Sequence, residues 1–568
     1  QKFLKKFISP FTGNTGVLLF HGVGVGKTCS ALQIAENFMN FFDNKTLIIA
    51  SKNLHSNFIK EIFDSKKVDT NFETYNGCLD TKILNMIPNW NQLNNTTLEK
   101  TVNVLIKKYF SFQGYQKLVN IIQKNKDYNK DILKKSGVTN NALKERELYT
   151  NYIKREFSDR VIIIDEVHNI RNPGLISNDV NDSKIIKQIP KILKEIMTHA
   201  KNVRLLLLSA TPMFDNESEI VDIINILTNN DKMLVNDVMT SLFDDKTNEL
   251  KPKVKTVIED FSKNYVSYMR GENPMLFPLR ISPSVFDNTK TLKYEDHPVK
   301  TYKGEDLKEE DRIKTLELYK SILSDKQEAI IKKLKSTPDD DTEDYENKQS
   351  YSDIVQISNV YFPISENMSV VDKFNNVFET VNNKPLKLKY RSTYKDLFSP
   401  NKINDYSPKI KNIIDAVDKS EGIVLIYSEY IYAGILPLCI ALESHGYNKY
   451  NNKNIMQIND KSKGSYITIT AKQEISGSDA EKAEEFKTLV SKSNKDGDKI
   501  KIVIINQVAA EGYDFKNLRE IHILEPWYNL NKTEQIIGRG VRNRSHFALT
   551  EDKRNTTIYL HCALHKNR

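Results

Sequence analysis

The sequence predicts an α/β fold made of two parallel-sheet domains, and three observations carry the prediction. Apolar strand candidates alternate with helix-spaced segments in two separate blocks, the pattern of parallel sheets covered by helices. Two of those strands run directly into polar turns, V-L-L-F-H-G-V-G-V-G-K-T over Val17 to Thr28 and V-I-I-I-D-E-V-H over Val161 to His168. The chain of 568 residues is also longer than a single core usually supports, so two or three domains are expected.

In the first block, Val17 to Phe20, Leu47 to Ala50, Val161 to Ile164 and Leu205 to Leu208 read as strands. They define a first domain over residues 1–230, with an inserted region near 68–158 that is rich in Lys, Asn and Tyr. Within it, the run from Lys124 to Lys135, interleaved with Tyr128, reads as a solvated helix face or as a contact to a nucleic-acid backbone. Residues 231–404 are expected to form an inter-domain insertion, helical and irregular. Ile313, Leu316 and Leu323 suit a helix within Asp311 to Lys335, and the acidic Pro338 to Glu346 reads as a structure-poor loop. The second sheet domain covers 405–568, with strands Ile423 to Ile426, Tyr466 to Ile469, Ile502 to Ile505, Ile521 to Leu524 and Thr557 to Leu560.

The turn after the first strand is a nucleoside-triphosphate cradle. Gly22, Gly24 and Gly26 let the backbone aim N–H groups at phosphate oxygens, and the helix that follows adds partial positive charge at its N-terminus. Lys27 then reaches the β- and γ-phosphates, and Thr28 holds Mg²⁺. His21 stands where a strict phosphate-loop pattern has its first glycine, a position that shapes the loop entrance. The second turn delivers Asp165 and Glu166 at the carboxyl end of a buried strand, the edge where open α/β sheets bind ligands. Asp165 is suited to hold Mg²⁺ through water, and Glu166 to orient and deprotonate the water that attacks the γ-phosphate.

Composition narrows the class further. Lys and Arg number 83 against 74 Asp and Glu, a net charge of +9 that permits a polyanionic partner without requiring one. No apolar run approaches membrane-spanning length, so a membrane is not expected among the partners. Cys29, Cys78, Cys439 and Cys562 are scattered with no C-x-x-C pair, so neither a zinc site nor a disulfide is expected, and a reducing compartment is the natural setting. The chain opens on Gln1 and not on methionine, which points to a stretch of a longer protein.

Three further stretches sit at the carboxyl ends of strands: Ser209-Ala210-Thr211-Pro212, Ala509-Ala510-Glu511-Gly512-Tyr513-Asp514, and Gln535 to Arg542, which reads Q-I-I-G-R-G-V-R. With the two turns above, and in this order, they resemble motifs I, II, III, V and VI of superfamily 2 helicases and translocases over nearly the whole chain. The resemblance implies two RecA-like domains with ATP and Mg²⁺ as cofactors, and DNA, double- or single-stranded, as the partner, with RNA left open. It implies that Arg539 and Arg542, read as lying on one helical face, bring positive charge to the transferring phosphoryl group, and that Gly512 and Asp514 belong to the nucleotide site. It also implies that Gln1 reads the adenine edge, that His168, Ser209, Thr211 and Gln535 couple hydrolysis to movement, and that Ser51, Lys52, Asn53, Ala510 and Glu511 face a nucleic-acid strand. From residues alone, Gln1 could equally be an ordinary polar terminus and His168 a packed histidine. Trp527 and Tyr528 read as buried beneath the last motif rather than stacked on a base.

A finer resemblance rests on L-F-H-G-V-G-V-G-K-T at Leu19 to Thr28, Y-M-R-G-E-N-P at Tyr268 to Pro274, I-L-E-P-W-Y-N at Ile523 to Asn529 and Q-I-I-G-R-G-V-R-N-R-S-H at Gln535 to His546. These are similar to helicase-like ATPases of large nucleocytoplasmic DNA viruses, especially those similar to the small subunit of the poxvirus early transcription factor. The implied setting is a virion or the host cytoplasm, with a viral RNA polymerase or a second transcription-factor subunit as a further partner. An ATPase subunit that remodels promoter complexes without processive unwinding is the alternative to a helicase or translocase.

Overall fold

The computed structural model describes all residues except 70–73, 76, 80–81, 136–141, 171–186, 214–218, 229–248, 270–274, 293–295, 301–304, 310–311, 314–315, 337–344, 366–367, 457–461, 508–512, 528–529 and 567–568. It divides into two compact units, Gln1–Gly271 and Glu272–Arg568.

The strands of the first unit are β1 (Gly16–His21), β2 (Thr46–Ile49), β3 (Val68–Asp69), β4 (Thr74–Tyr75), β5 (Phe110–Gln113), β6 (Val161–Asp165), β7 (Arg204–Ser209) and β8 (Val266–Met269). Six of them form one sheet in the order β5-β2-β6-β7-β1-β8, every neighbouring pair parallel. Both faces are covered, which is why these strands read as unbroken apolar runs. Leu18, Ile49, Ile162, Ile164, Leu205 and Leu207 pack with the helices Tyr115–Lys135, Ala142–Phe157 and Ile189–His199. The alternate residues Val17, Leu19, Ile48, Ile163, Leu206 and Leu208 pack with Lys27–Phe38, Lys52–Ile62 and Asn95–Tyr109. Each such aliphatic side chain contributes roughly 1.5–3 kcal/mol on burial.

The second unit holds β9 (Leu279–Ile281), β10 (Tyr319–Ile322), β11 (Phe378–Asn383), β12 (Leu386–Tyr390), β13 (Ile423–Tyr427), β14 (Asn448–Lys449), β15 (Ser465–Ile469), β16 (Ile502–Ile505), β17 (Leu518–Ile523) and β18 (Asn555–Leu564). Its parallel sheet runs β10-β18-β17-β13-β16-β15-β14, with β9 also on β18. Val424, Ile426, Ile502, Ile504 and Leu524 pack against the helices Pro408–Lys419 and Leu436–Ser444. The antiparallel hairpin β11-β12 extends this core through Phe378 and Leu388. The chain is therefore α/β with two parallel-sheet units, as the alternation of strands and helices predicts.

Several expectations are corrected in detail. The region near 68–158 is not only an insertion, because β5 completes the first sheet beside β2. Its F-S-F-Q is too short and too mixed to read as a buried strand. The first unit continues beyond 230 through the helix Pro252–Tyr265 and β8, which pairs with β1. The helix expected within 311–335 is confined to Asp325–Ser336, after β10, and most of the acidic Pro338 to Glu346 segment lies outside the described residues. Cys29 and Cys78, 49 positions apart, form a disulfide with a Cα–Cα distance of 5.1 Å. Packing of the helix Lys27–Phe38 against the segment at 77–79, where Gln33 Nε2 donates to Cys78 O at 2.9 Å, brings together cysteines whose spacing carries no signal. Among the described residues no helix is long and apolar enough to cross a membrane.

Candidate active site

The phosphate loop is built from β1, its glycine turn and the helix Lys27–Phe38. Gly24 and Gly26 take φ of 76° and 87°, left-handed values that favour glycine. Gly26 caps the helix and, being a glycine, offers no capping side chain, so the helix N-terminus faces the loop as an anion site would require. A Cβ on Gly26 would lie 2.8 Å from Gln1 Nε2, which sets the Gln1 amide beside the loop. Lys27 Nζ donates to His21 O at 3.0 Å and to Gly22 O at 3.2 Å, so its ammonium lies against the loop entrance. Thr28 occupies the second position of the helix. This cradle fits a nucleoside triphosphate with Mg²⁺.

His21, at the first-glycine position, is buried and turned toward β8, where its Nε2 lies 2.8 Å from Ser267 Oγ. Gly22 N also donates to Met269 O at 3.0 Å, so β8 braces the loop twice. Burial, and after it the charge of Lys27, pulls the His21 pKa down to about 4, which keeps the imidazole neutral at physiological pH.

Asp165 ends β6, buried, and its Oδ1 accepts from Glu166 N at 3.1 Å. Glu166 takes φ of 50°, an uncommon backbone for a residue with a side chain. Its Oε2 is buried and accepts no hydrogen bond among the described residues, although His168 Nδ1 is 3.5 Å away. The same His168 Nδ1 lies 3.1 Å from Ser209 Oγ, and Ser209 Oγ accepts from Thr211 N at 2.9 Å. Four expected residues are thus joined in one chain from the acidic turn to Ser209-Ala210-Thr211. Tyr115, which the sequence reading did not single out, donates its hydroxyl to Asp165 O. The available signal was Q-G-Y at 113–115, a glycine and a tyrosine directly after the alternating F-S-F.

At the carboxyl end of β2, Ser51 caps the helix Lys52–Ile62 without a side-chain bond, and its Oγ is buried with no partner among the described residues. Gln113 Oε1, at the end of β5, is in the same condition. The side chains of Lys52 and Asn53 lie outside the described part, as do residues Ala510, Glu511, Gly512 and Tyr528.

In the second unit, Asp514 forms an ion pair with Arg542 and lies 4.0 Å from Arg539. Asp514, expected at the nucleotide, is therefore a partner of the motif VI arginines. Phe515 N donates to Arg539 O at 2.9 Å, a second tie between these two segments. The helix carrying Gln535 ends at Ile537, so Arg539 and Arg542 lie in the turns beyond it and do not share a helical face. Gly538 and Gly540 stop the helix early. Trp527 is half-buried, with Lys532 Nζ 4.4 Å from its ring centre.

Glu525 lies within the I-L-E-P-W-Y-N stretch, but no local motif marks Lys409 or the partnership between the two. Glu525, buried beyond β17, accepts from Ser428 Oγ at 2.8 Å and from Glu429 N at 2.9 Å, and burial lifts its pKa to about 7. Lys409 donates to Ser358 Oγ, Asn359 Oδ1 and Leu524 O at 3.2, 3.1 and 3.1 Å. Asn359 joins the two groups by donating to Glu525 Oε1.

The chain is similar to several known proteins. Residues 1–214 match the family described as "Type III restriction enzyme, res subunit". The chain is 28% identical to "Putative ATP-dependent RNA helicase R563" of Acanthamoeba polyphaga mimivirus, over 100% of this chain and 82% of that protein. It is 23% identical to "Putative helicase 087L" of Invertebrate iridescent virus 3, over 99% of this chain and 49% of the relative. Identity is also 23% to "Termination factor NPH-I homolog" of African swine fever virus, over 97% of this chain and 69% of that protein. The chain thus spans only about half the length of the iridescent-virus relative.

Proposed function

We propose, from the premise that the chain is a relative of superfamily 2 helicases similar along its whole length to proteins of large DNA viruses, that it is an ATP-driven motor acting on nucleic acid. The observation that carries this reading is the chain Glu166, His168, Ser209, Thr211, which ties a water-activating carboxylate to the turn after β7. In this reading Lys27 balances charge on the β- and γ-phosphates. Thr28 and Asp165 hold Mg²⁺, which when bound lowers the cost of charge on the phosphoryl oxygens. Glu166 takes the proton of the attacking water, with His168 Nδ1 3.5 Å from its Oε2. Gln1, beside the loop, reads the adenine edge. Arg542, aimed by Asp514, stabilises charge on the transferring group, with Arg539 next to it.

DNA is the proposed partner, engaged in part through Ser51. A transcription role, in which the ATPase acts on a polymerase complex without unwinding, is the second reading. A strand-displacement assay beside a streptavidin-displacement assay on one duplex separates these readings. Unwinding identifies a helicase, displacement alone a duplex translocase, and activity only with a polymerase the transcription role. ATP turnover should rise with DNA and fall steeply with salt, because each phosphate neutralised by Lys or Arg releases a counterion. Turnover indifferent to DNA or RNA at low salt would exclude a motor.

A further inference from the structure

We infer that Tyr115 is a positioning residue that couples nucleic-acid engagement on the first unit to water activation by Glu166. The inference rests on the motor reading above. Tyr115 is only 3% exposed, and its hydroxyl donates to the backbone oxygen of Asp165 and lies 3.5 Å from Glu166 O. That bond holds the peptide plane just before a glutamate whose φ of 50° is disfavoured for any side-chain-bearing residue. The direction of the Glu166 carboxylate follows from that peptide, so a shift of the Tyr115 hydroxyl redirects the base.

The other end of the lever is Gln113, two residues earlier. β5 pairs with β2, and Ala50 N donates to Gln113 O at 3.1 Å, so the carboxyl ends of the two strands move as one edge. This edge carries two buried polar atoms without partners among the described residues, Ser51 Oγ and Gln113 Oε1. Buried polar atoms are rarely left unpaired, and a polar ligand that satisfied them would pull on this edge. Gly114 is the only residue between Gln113 and the helix that begins at Tyr115, so little slack separates the edge from the acidic turn.

Tyr115→Phe tests this, because it keeps the ring packing and removes only the hydroxyl. Tyr149→Phe is the control: its hydroxyl bonds Glu195 Oε2 at 2.5 Å, in the same helical layer and away from the acidic turn. ATP turnover is measured with and without DNA, together with the KM for ATP, the DNA concentration giving half-maximal stimulation, and a thermal melt. The expected result for Tyr115→Phe is a loss of about tenfold in DNA-stimulated kcat, the scale of one positioning hydrogen bond, with both half-saturation constants and the melt unchanged. Tyr149→Phe should match the wild type. Undiminished stimulation in Tyr115→Phe, or a raised KM with an equal fall in both rates, would overturn the inference while leaving the motor reading standing. A wild-type rate that ignores both DNA and RNA would instead remove the motor reading, and the inference with it.

Discussion

His168 Nδ1 sits 3.1 Å from Ser209 Oγ, a contact between the turn that follows β6 and the last residue of β7, and the same nitrogen is 3.5 Å from Glu166 Oε2. One imidazole therefore touches both the group proposed to activate water and the segment proposed to respond to hydrolysis. His168→Ala and Ser209→Ala should each reduce streptavidin displacement by roughly tenfold while costing less in ATP turnover. If they act through this contact, the double variant is no worse than the more damaged single. Additive losses would mean that the two residues serve separate purposes.

Glu166→Gln should lower turnover by about 10²- to 10⁴-fold while ATP binding persists, since an amide accepts no proton from water at neutral pH. Lys27→Ala should weaken nucleotide binding as well, by removing the charge beside the phosphates. Measuring ATP affinity and kcat for both separates base from phosphate ligand. Loss of ATP binding in Glu166→Gln would make Glu166 a structural carboxylate.

Arg542→Ala should cut DNA-stimulated turnover by at least about a hundredfold with nucleotide affinity nearly unchanged, the signature of charge stabilisation in the transition state. Lysine should rescue little, because it lacks the planar fork. Asp514→Asn, which frees the guanidinium from its ion pair, should give a milder loss of the same kind. Stimulated turnover that survives Arg542→Ala would make that arginine a surface group.

His21 gives a pH-dependent stability. Its folded pKa of about 4 lies below the ordinary 6.5, so between these values the unfolded chain binds a proton that the folded chain does not. Stability from this site is complete above 6.5 and is lost as pH falls toward 4. His21→Gln should flatten that part of the curve, measured as unfolding midpoints across the window. An identical slope in the variant would show that other groups set it.

The legible parts of this chain were those where chemistry and periodicity coincide. Val161 to Ile164 announces a strand buried on both faces, and its position fixes Asp165 and Glu166 at the ligand-binding edge. The glycine turn and Lys27 were equally plain, since few backbones but a phosphate cradle call for that spacing. Short edge strands such as β5 and β8 stayed hidden because four residues with one face half-exposed carry little pattern. Tyr115, Ser267 and the Lys409–Asn359–Glu525 network depend on contacts between residues far apart in sequence, which no local motif encodes. The Arg542–Asp514 pair was of the same kind, its members legible singly and their partnership not.

The ten-residue strand β18 divides its outer edge between two short neighbours, β9 along Asn555 to Thr557 and β10 along His561 to Leu564. Both come from the stretch before the second block of strand candidates, so a fragment begun beyond Ile322 would lack them. It would present a long open ladder of unpaired N–H and C=O groups, a template for strand addition from another copy. Precipitation of such a fragment would then report a missing hem on the sheet, with its buried core still intact.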